Sequence, residues 1–128
     1  MTLRSVDVGF VSTDRALVDF LAGVFELAEL PPVEFPEGTV HRLQGPDGLL
    51  KVMVPAAPPA PPAPADSFYA VAGLRYLTVR VDGLDGVIER ATARGGSLAL
   101  GPIEYRPGVR LVVLTDPDGN AIEVIEES

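Results

Sequence analysis

A chain of 128 residues can bury one substantial core and is too short for two independent domains. It has no Cys and a single His, His41, which excludes disulfide scaffolds, thiolate metal sites, cysteine nucleophiles and metal sites needing two His from one chain. Eighteen acids against nine Arg and one Lys, Lys51, leave a net charge of −8, which argues against nucleic acid and anionic membranes as partners. No segment reaches the roughly 20 apolar residues of a membrane span. Met1-Thr2-Leu3-Arg4-Ser5 carries no charged-then-apolar leader pattern, so a cytoplasmic setting is expected.

From the N-terminus, 6–11 alternates as a strand. Ser12, Thr13 and Asp14 offer helix caps, and Leu17, Phe20, Leu21, Val24 and Phe25 recur at helical spacing, in a helix that Pro31-Pro32 should end. Two strands follow near 39–44 and 49–54, joined by the turn Gly45-Pro46-Asp47-Gly48. Six prolines between Pro55 and Pro64 then predict an extended, polyproline-like spacer, a composition that also suits aromatic-lined adaptor domains. Beyond it, 74–81 reads as a strand. Asp82-Gly83-Leu84-Asp85 caps a helix with the stripe Val87, Ile88 and Ala91, and Gly95-Gly96 stops it. Strands near 97–100, 110–115 and 120–125 complete the chain, the last two joined by Asp116-Pro117-Asp118-Gly119. The order strand–helix–strands occurs twice, and Pro-Asp-Gly recurs at 46–48 and 117–119 before each final strand.

Alternation along these strands assigns faces. Val6, Val8 and Phe10, Leu50, Val52 and Val54, Leu77, Val79 and Val81, and Ile122 and Val124 form apolar faces suited to lie under a helix. The opposite faces carry Asp7, Gly9 and Val11, Leu49, Lys51 and Met53, Tyr76, Thr78 and Arg80, and Ala121, Glu123 and Ile125. That mixture of charge, phenol and apolar carbon suits a half-sheltered cleft better than a sheet face open to water.

At this point the chain resembles the vicinal oxygen chelate superfamily, which includes glyoxalase I, bleomycin-resistance proteins, methylmalonyl-CoA epimerase and extradiol dioxygenases. Leu114-Thr-Asp-Pro-Asp-Gly-Asn-Ala-Ile-Glu-Val-Ile125 is similar to that family's final hairpin, and Leu74-Arg-Tyr-Leu-Thr-Val-Arg-Val-Asp82 to its second-module opening strand. The resemblance covers nearly the whole chain. It implies an α+β fold of two βαβββ modules in a single domain, with curved mixed sheets lining a cleft, and a homodimer. The modules would span about 2–54 and 70–128, with the Pro-rich linker at about 55–69. The family's metal enzymes take His, Glu or Gln ligands from four strand positions, and the aligned positions here hold Asp7, Lys51, Tyr76 and Glu123. Only Glu123 is of the usual type. Asp7 is a carboxylate, the Tyr76 phenol stays protonated near neutral pH, and the Lys51 ammonium has no lone pair to offer. A one-residue shift in the first module would bring Leu50 or Val52 to the second position, and neither ligates.

Single residues carry alternative roles. Lys51 either sits between Asp7 and Glu123, replacing the charge of a lost cation, or lays its stem along the sheet with its head in water. Glu123 is the best candidate for a catalytic base, against the plainer reading of one more acid in the run 123–127. Arg80 is better placed for an anionic ligand than Arg106 or Arg110, which read as surface salt-bridge partners. His41 reads as a packed or surface residue. Ser12, Ser67 and Ser97 read as caps or loop positions, and eight scattered aromatics define no stacking box. The expected function is binding of a small organic molecule through Asp7, Lys51, Met53, Tyr76, Thr78, Arg80 and Glu123, with no metal or other cofactor, in the manner of antibiotic-sequestering relatives. The alternative is a metal-dependent lyase, isomerase or dioxygenase of the glyoxalase type, remodelled around Asp7, Glu123 and a His41 from either chain of a dimer. A protein-interaction module built on the proline run is the third reading.

Overall fold

Alternating apolar residues build two four-stranded mixed sheets, each crossed by one helix, in a computed structural model that describes residues 2–62 and 67–128. Residues 63–66 of the expected spacer lie outside the described residues. The chain divides into two units, Met1–Pro61 and Pro62–Ser128.

The first unit contains β1 (Val8–Val11), α1 (Ala16–Phe25), β2 (Ala28–Phe35), β3 (Gly38–Gln44) and β4 (Leu49–Pro55), with strand order β1-β4-β3-β2. The second repeats the plan with β5 (Tyr76–Arg80), α2 (Leu84–Ala93), β6 (Ser97–Arg106), β7 (Val109–Thr115) and β8 (Ala121–Glu127), ordered β5-β8-β7-β6. In both, the first strand runs parallel to the last and the other pairs are antiparallel. The helix between first and second strand is the crossover that parallel pairing requires. Two βαβββ modules in an α+β fold are therefore what the chain forms.

Each helix seals one face of its sheet. Leu17, Val18, Phe20, Leu21 and Val24 of α1 are buried, as are Leu43 and Val52 on the sheet beneath. In the second unit Leu84, Val87 and Ala91 of α2 are buried, with Val112, Leu114, Ile122 and Val124 on the strands. Each of these side chains larger than alanine contributes about 1.5–3 kcal/mol by leaving water.

Several local expectations need correction. Helix α1 stops at Phe25, where Glu26 turns left-handed at φ 55° and donates its N–H to the Ala22 carbonyl, before Pro31-Pro32 is reached. The two prolines instead lie within β2, an edge strand, at the register shift between Leu30 and Val33. An edge with a bulge is where a strand tolerates residues that cannot donate. Val6 falls outside β1 and is exposed. The cap of α2 comes from Glu126, whose Oε2 accepts the Leu84 N–H at 2.7 Å, rather than from the local Asp82-Gly83 sequence. Strand β6 runs on to Arg106 through three register irregularities, of which the one between Leu100 and Ile103 spans the cis Gly101-Pro102 peptide. At the turn before β4, a Cβ on Gly48 would collide with the Val6 carbonyl oxygen, so the third residue of the first Pro-Asp-Gly must be glycine for packing. At the second turn the reason is conformational, since Gly119 adopts φ +88° in open space.

Candidate functional site

In the first unit the parallel pairing sets Gly9 opposite Lys51 and Val11 opposite Met53. This places Lys51 and Met53 on the side away from α1. Asp7 stands one residue ahead of β1. Its Oδ1 accepts the Leu49 N–H at 2.8 Å, and its Oδ2 lies 3.2 Å from Lys51 Nζ. The Leu49 N–H, and after it the Lys51 ammonium, hold the Asp7 carboxyl below the usual carboxylate range. Both oxygens of Asp7 thus have partners. Leu50 and Val52 pair with Val8 and Phe10 on the other face, toward the helix, so Lys51 lies on the face away from it.

His41 is not part of that constellation. It pairs with Val52 on the helix side of the sheet and is only 9% exposed. Its Nδ1 is 3.5 Å from Arg15 Nη1 and 3.9 Å from Glu29 Oε2. Arg15 itself binds Glu29 at 2.7 Å, and that pairing raises the Arg15 pKa and lowers that of Glu29. Within one chain, His41 and Asp7 are on opposite sides of the same sheet.

In the second unit Thr78 stands directly opposite Glu123, and Thr78 Oγ1 donates to Glu123 Oε1 at 2.9 Å. Tyr76 is opposite Ala121 and Arg80 opposite Ile125, so all these positions share the face away from α2. Arg80 reaches Glu127 at 3.7 Å, and Arg106 reaches the same carboxylate at 4.0 Å. Arg110 lies on the other face, 3.1 Å from Asp85 and 3.3 Å from Glu126, where it supports the residue that caps α2. Arg106 and Arg110 are ion-pair residues, as expected for them.

What the sequence did not reveal is a cavity of about 700 Å³ at the hairpin end of this second face. Thr115 and Ala121, paired across β7 and β8, lie in its wall beside Leu100 of β6. Residues ahead of β5 supply the other side, with Phe68, Tyr69 and Leu74 among them. Three aromatics interlock there. Phe68 meets Tyr69 edge-to-face at 5.2 Å and Tyr76 at 5.5 Å. The scattered-aromatics reading is corrected on this point, and 67–69 are wall residues rather than plain spacer. Ser67 lines the cavity too, while Ser97 hydrogen-bonds Thr115 and Ser12 is buried with its N–H on the Met53 carbonyl. Glu123 follows two residues after Ala121 on the same face of β8. The clue available in the sequence was Phe68-Tyr69, two residues beyond a run of Pro and Ala.

Among the described residues no three His, Asp or Glu side chains gather as a metal ion would need. No helix there is long and apolar enough to cross a membrane.

Residues 10–124 match the sequence model of the Glyoxalase/Bleomycin resistance protein/Dioxygenase superfamily. No curated protein matches the chain. Solved structures share its fold at low identity. A glyoxalase family protein from Bacillus cereus is 20% identical with a TM-score of 0.76, over 99% of this chain and 95% of that one. A glyoxalase family protein from Enterococcus faecalis is 22% identical with a TM-score of 0.69, over 97% and 96%. An antibiotic binding protein from a Streptomyces species is 22% identical with a TM-score of 0.66, over 100% and 97%.

Proposed function

Because the chain belongs to the Glyoxalase/Bleomycin resistance protein/Dioxygenase superfamily, we propose that it binds a small organic molecule in the aromatic-walled cavity of its second unit, without a metal ion, and sequesters rather than transforms it. The cavity carries this reading. Its volume of about 700 Å³ is that of a small-molecule site, and apolar walls with a few polar groups are what such sites use. The fold is shared with an antibiotic binding protein. Tyr76, Thr78 and Glu123 continue the same sheet face and would extend the contact surface, with Met53 and Lys51 serving the first unit's face.

Metal independence is argued from the donors. Of the four positions aligned with the family's ligands, one is an ammonium, and Asp7 is already engaged by it and by Leu49. A cation meeting Lys51 there would be repelled, and a phenol at Tyr76 binds divalent ions poorly near neutral pH. These residues do not fit a divalent metal. A homodimer belongs to the proposal, since Ile103 and Tyr105 of β6 leave exposed apolar surface that a second copy would cover. A cytoplasmic setting accords with a chain without Cys.

The test is direct. With no Trp in the chain, the three tyrosines supply the intrinsic fluorescence, and planar aromatic compounds should quench it saturably. Phe68→Ala should weaken binding of the best compound about tenfold, the loss of one aromatic contact. Elemental analysis of protein purified without chelators should find no bound metal. Stoichiometric zinc, nickel, manganese or iron would overturn the metal-free reading in favour of a lyase, isomerase or dioxygenase. Lys51→Gln should not lose metal, because the wild type has none to lose.

A further inference from the structure

The cavity has one cationic side chain among the described residues of its wall, Arg75. Elsewhere Arg15, Arg80, Arg106 and Arg110 each lie within 4.0 Å of a carboxylate. Arg75 does not. Its Nε donates to the Val71 carbonyl at 3.0 Å, its Nη2 to Ala72 at 2.8 Å and its Nη1 to Leu74 at 3.5 Å. These bonds fold residues 71–75 into a tight loop, with Gly73 at φ +124° beneath the guanidinium. Leu74 is 90% exposed and Tyr69 79%, and both line the cavity. Carbonyl dipoles orient the guanidinium without cancelling its charge. A guanidinium has five N–H donors; three are used, and by count one remains on each terminal nitrogen. Guanidinium N–H groups are what arginine offers an oxyanion.

Granting that the cavity is a binding site, we propose that its ligand is an aromatic molecule bearing a carboxylate, sulfonate or similar oxyanion, with its rings against Phe68 and Tyr69 and its oxyanion on the free N–H groups of Arg75. This moves the anion-binding role from Arg80, which Glu127 occupies, to a residue of the cavity itself.

The experiment compares two fluorescent probes with one ring system, anilinonaphthalene sulfonate and its uncharged analogue N-phenyl-naphthylamine, on the full chain. The wild type should bind the sulfonate about tenfold more tightly than the neutral probe, the strength of a charge-assisted hydrogen-bond pair. Arg75→Gln should abolish that preference, the sulfonate losing about tenfold more affinity than the neutral probe, and Arg75→Lys should restore part of it. Should the loop collapse in Arg75→Gln, both probes weaken together. Equal loss of both, or no preference in the wild type, overturns the oxyanion assignment alone. Binding of neither probe by the wild type overturns the cavity reading and this proposal with it.

Discussion

In the first unit, the start of the parallel strand pair is closed on itself. Gly9 stands opposite Lys51 and has no side chain to offer it, so the ammonium reaches along the face to Asp7, whose other oxygen holds the Leu49 N–H. In the second unit the same register puts Thr78 opposite Glu123, and the two hydrogen-bond straight across the strands. Tyr76, at the position equivalent to Asp7, packs edge-to-face against Phe68 instead. One backbone plan therefore yields an ion-paired end in one unit and an aromatic wall in the other. The difference lies in three equivalent positions, Asp7 against Tyr76, Gly9 against Thr78 and Lys51 against Glu123.

The two helices sharpen the contrast in stability. Helix α1 buries five side chains and α2 buries three, the largest of them Phe20 and Leu84. Phe20→Ala should cost about 3–5 kcal/mol, because it leaves a cavity the sheet cannot fill. Val87→Ala, at the middle of α2, should cost about 1.5 kcal/mol, two methyl groups' worth of lost burial. Urea unfolding of the two variants measures the difference. Equal losses would mean that the units do not differ in how strongly their helices are seated.

How far these features were legible in the sequence follows from their range. The duplicated plan, the helix stripes and the assignment of Lys51 and Glu123 to the faces away from the helices all come from alternation, which is local and survived folding. Strand β2 was hidden because Pro31-Pro32 reads as a breaker, and only its edge position makes it possible. The α2 cap was hidden because its acceptor is Glu126, 42 residues from Leu84. The cavity was hidden for the same kind of reason. Its wall joins Phe68 and Tyr69 to Thr115 and Ala121, and no periodicity links a segment ahead of β5 with the last hairpin.

The two Pro-Asp-Gly turns offer the next test. At the second, Asp116 is 3% exposed, with Oδ1 accepting the N–H groups of Asp118 and Asn120 at 2.9 Å and Oδ2 accepting Asn120 Nδ2 at 2.8 Å. Asp116→Ala should cost about 2 kcal/mol, the range for hydrogen bonds to a charged acceptor. Burial, opposed by those bonds, raises the Asp116 pKa. A carboxyl whose folded pKa is raised binds protons more readily folded than unfolded. Its contribution is therefore greatest at low pH and falls as pH rises from about 3.9 through the raised value. The cost of Asp116→Ala should accordingly be larger at acid pH than at neutral pH.

Asp7, beside the first turn, should show the opposite slope with a smaller amplitude. Its folded pKa is lowered, first by the Leu49 N–H and then by Lys51. Its contribution is thus present above about 3.9 and is lost as pH falls through the lowered value. Asp7→Asn should destabilise the protein slightly at neutral pH and converge on the wild type at strongly acid pH. Because Asp7 and Lys51 keep 35% and 39% of their side chains in water, high salt should also shrink the difference. A salt-independent loss would assign the effect to the Leu49 hydrogen bond rather than to the ion pair. In that case the closed end of the first unit would be held by its turn, and Lys51 would be free to meet a ligand.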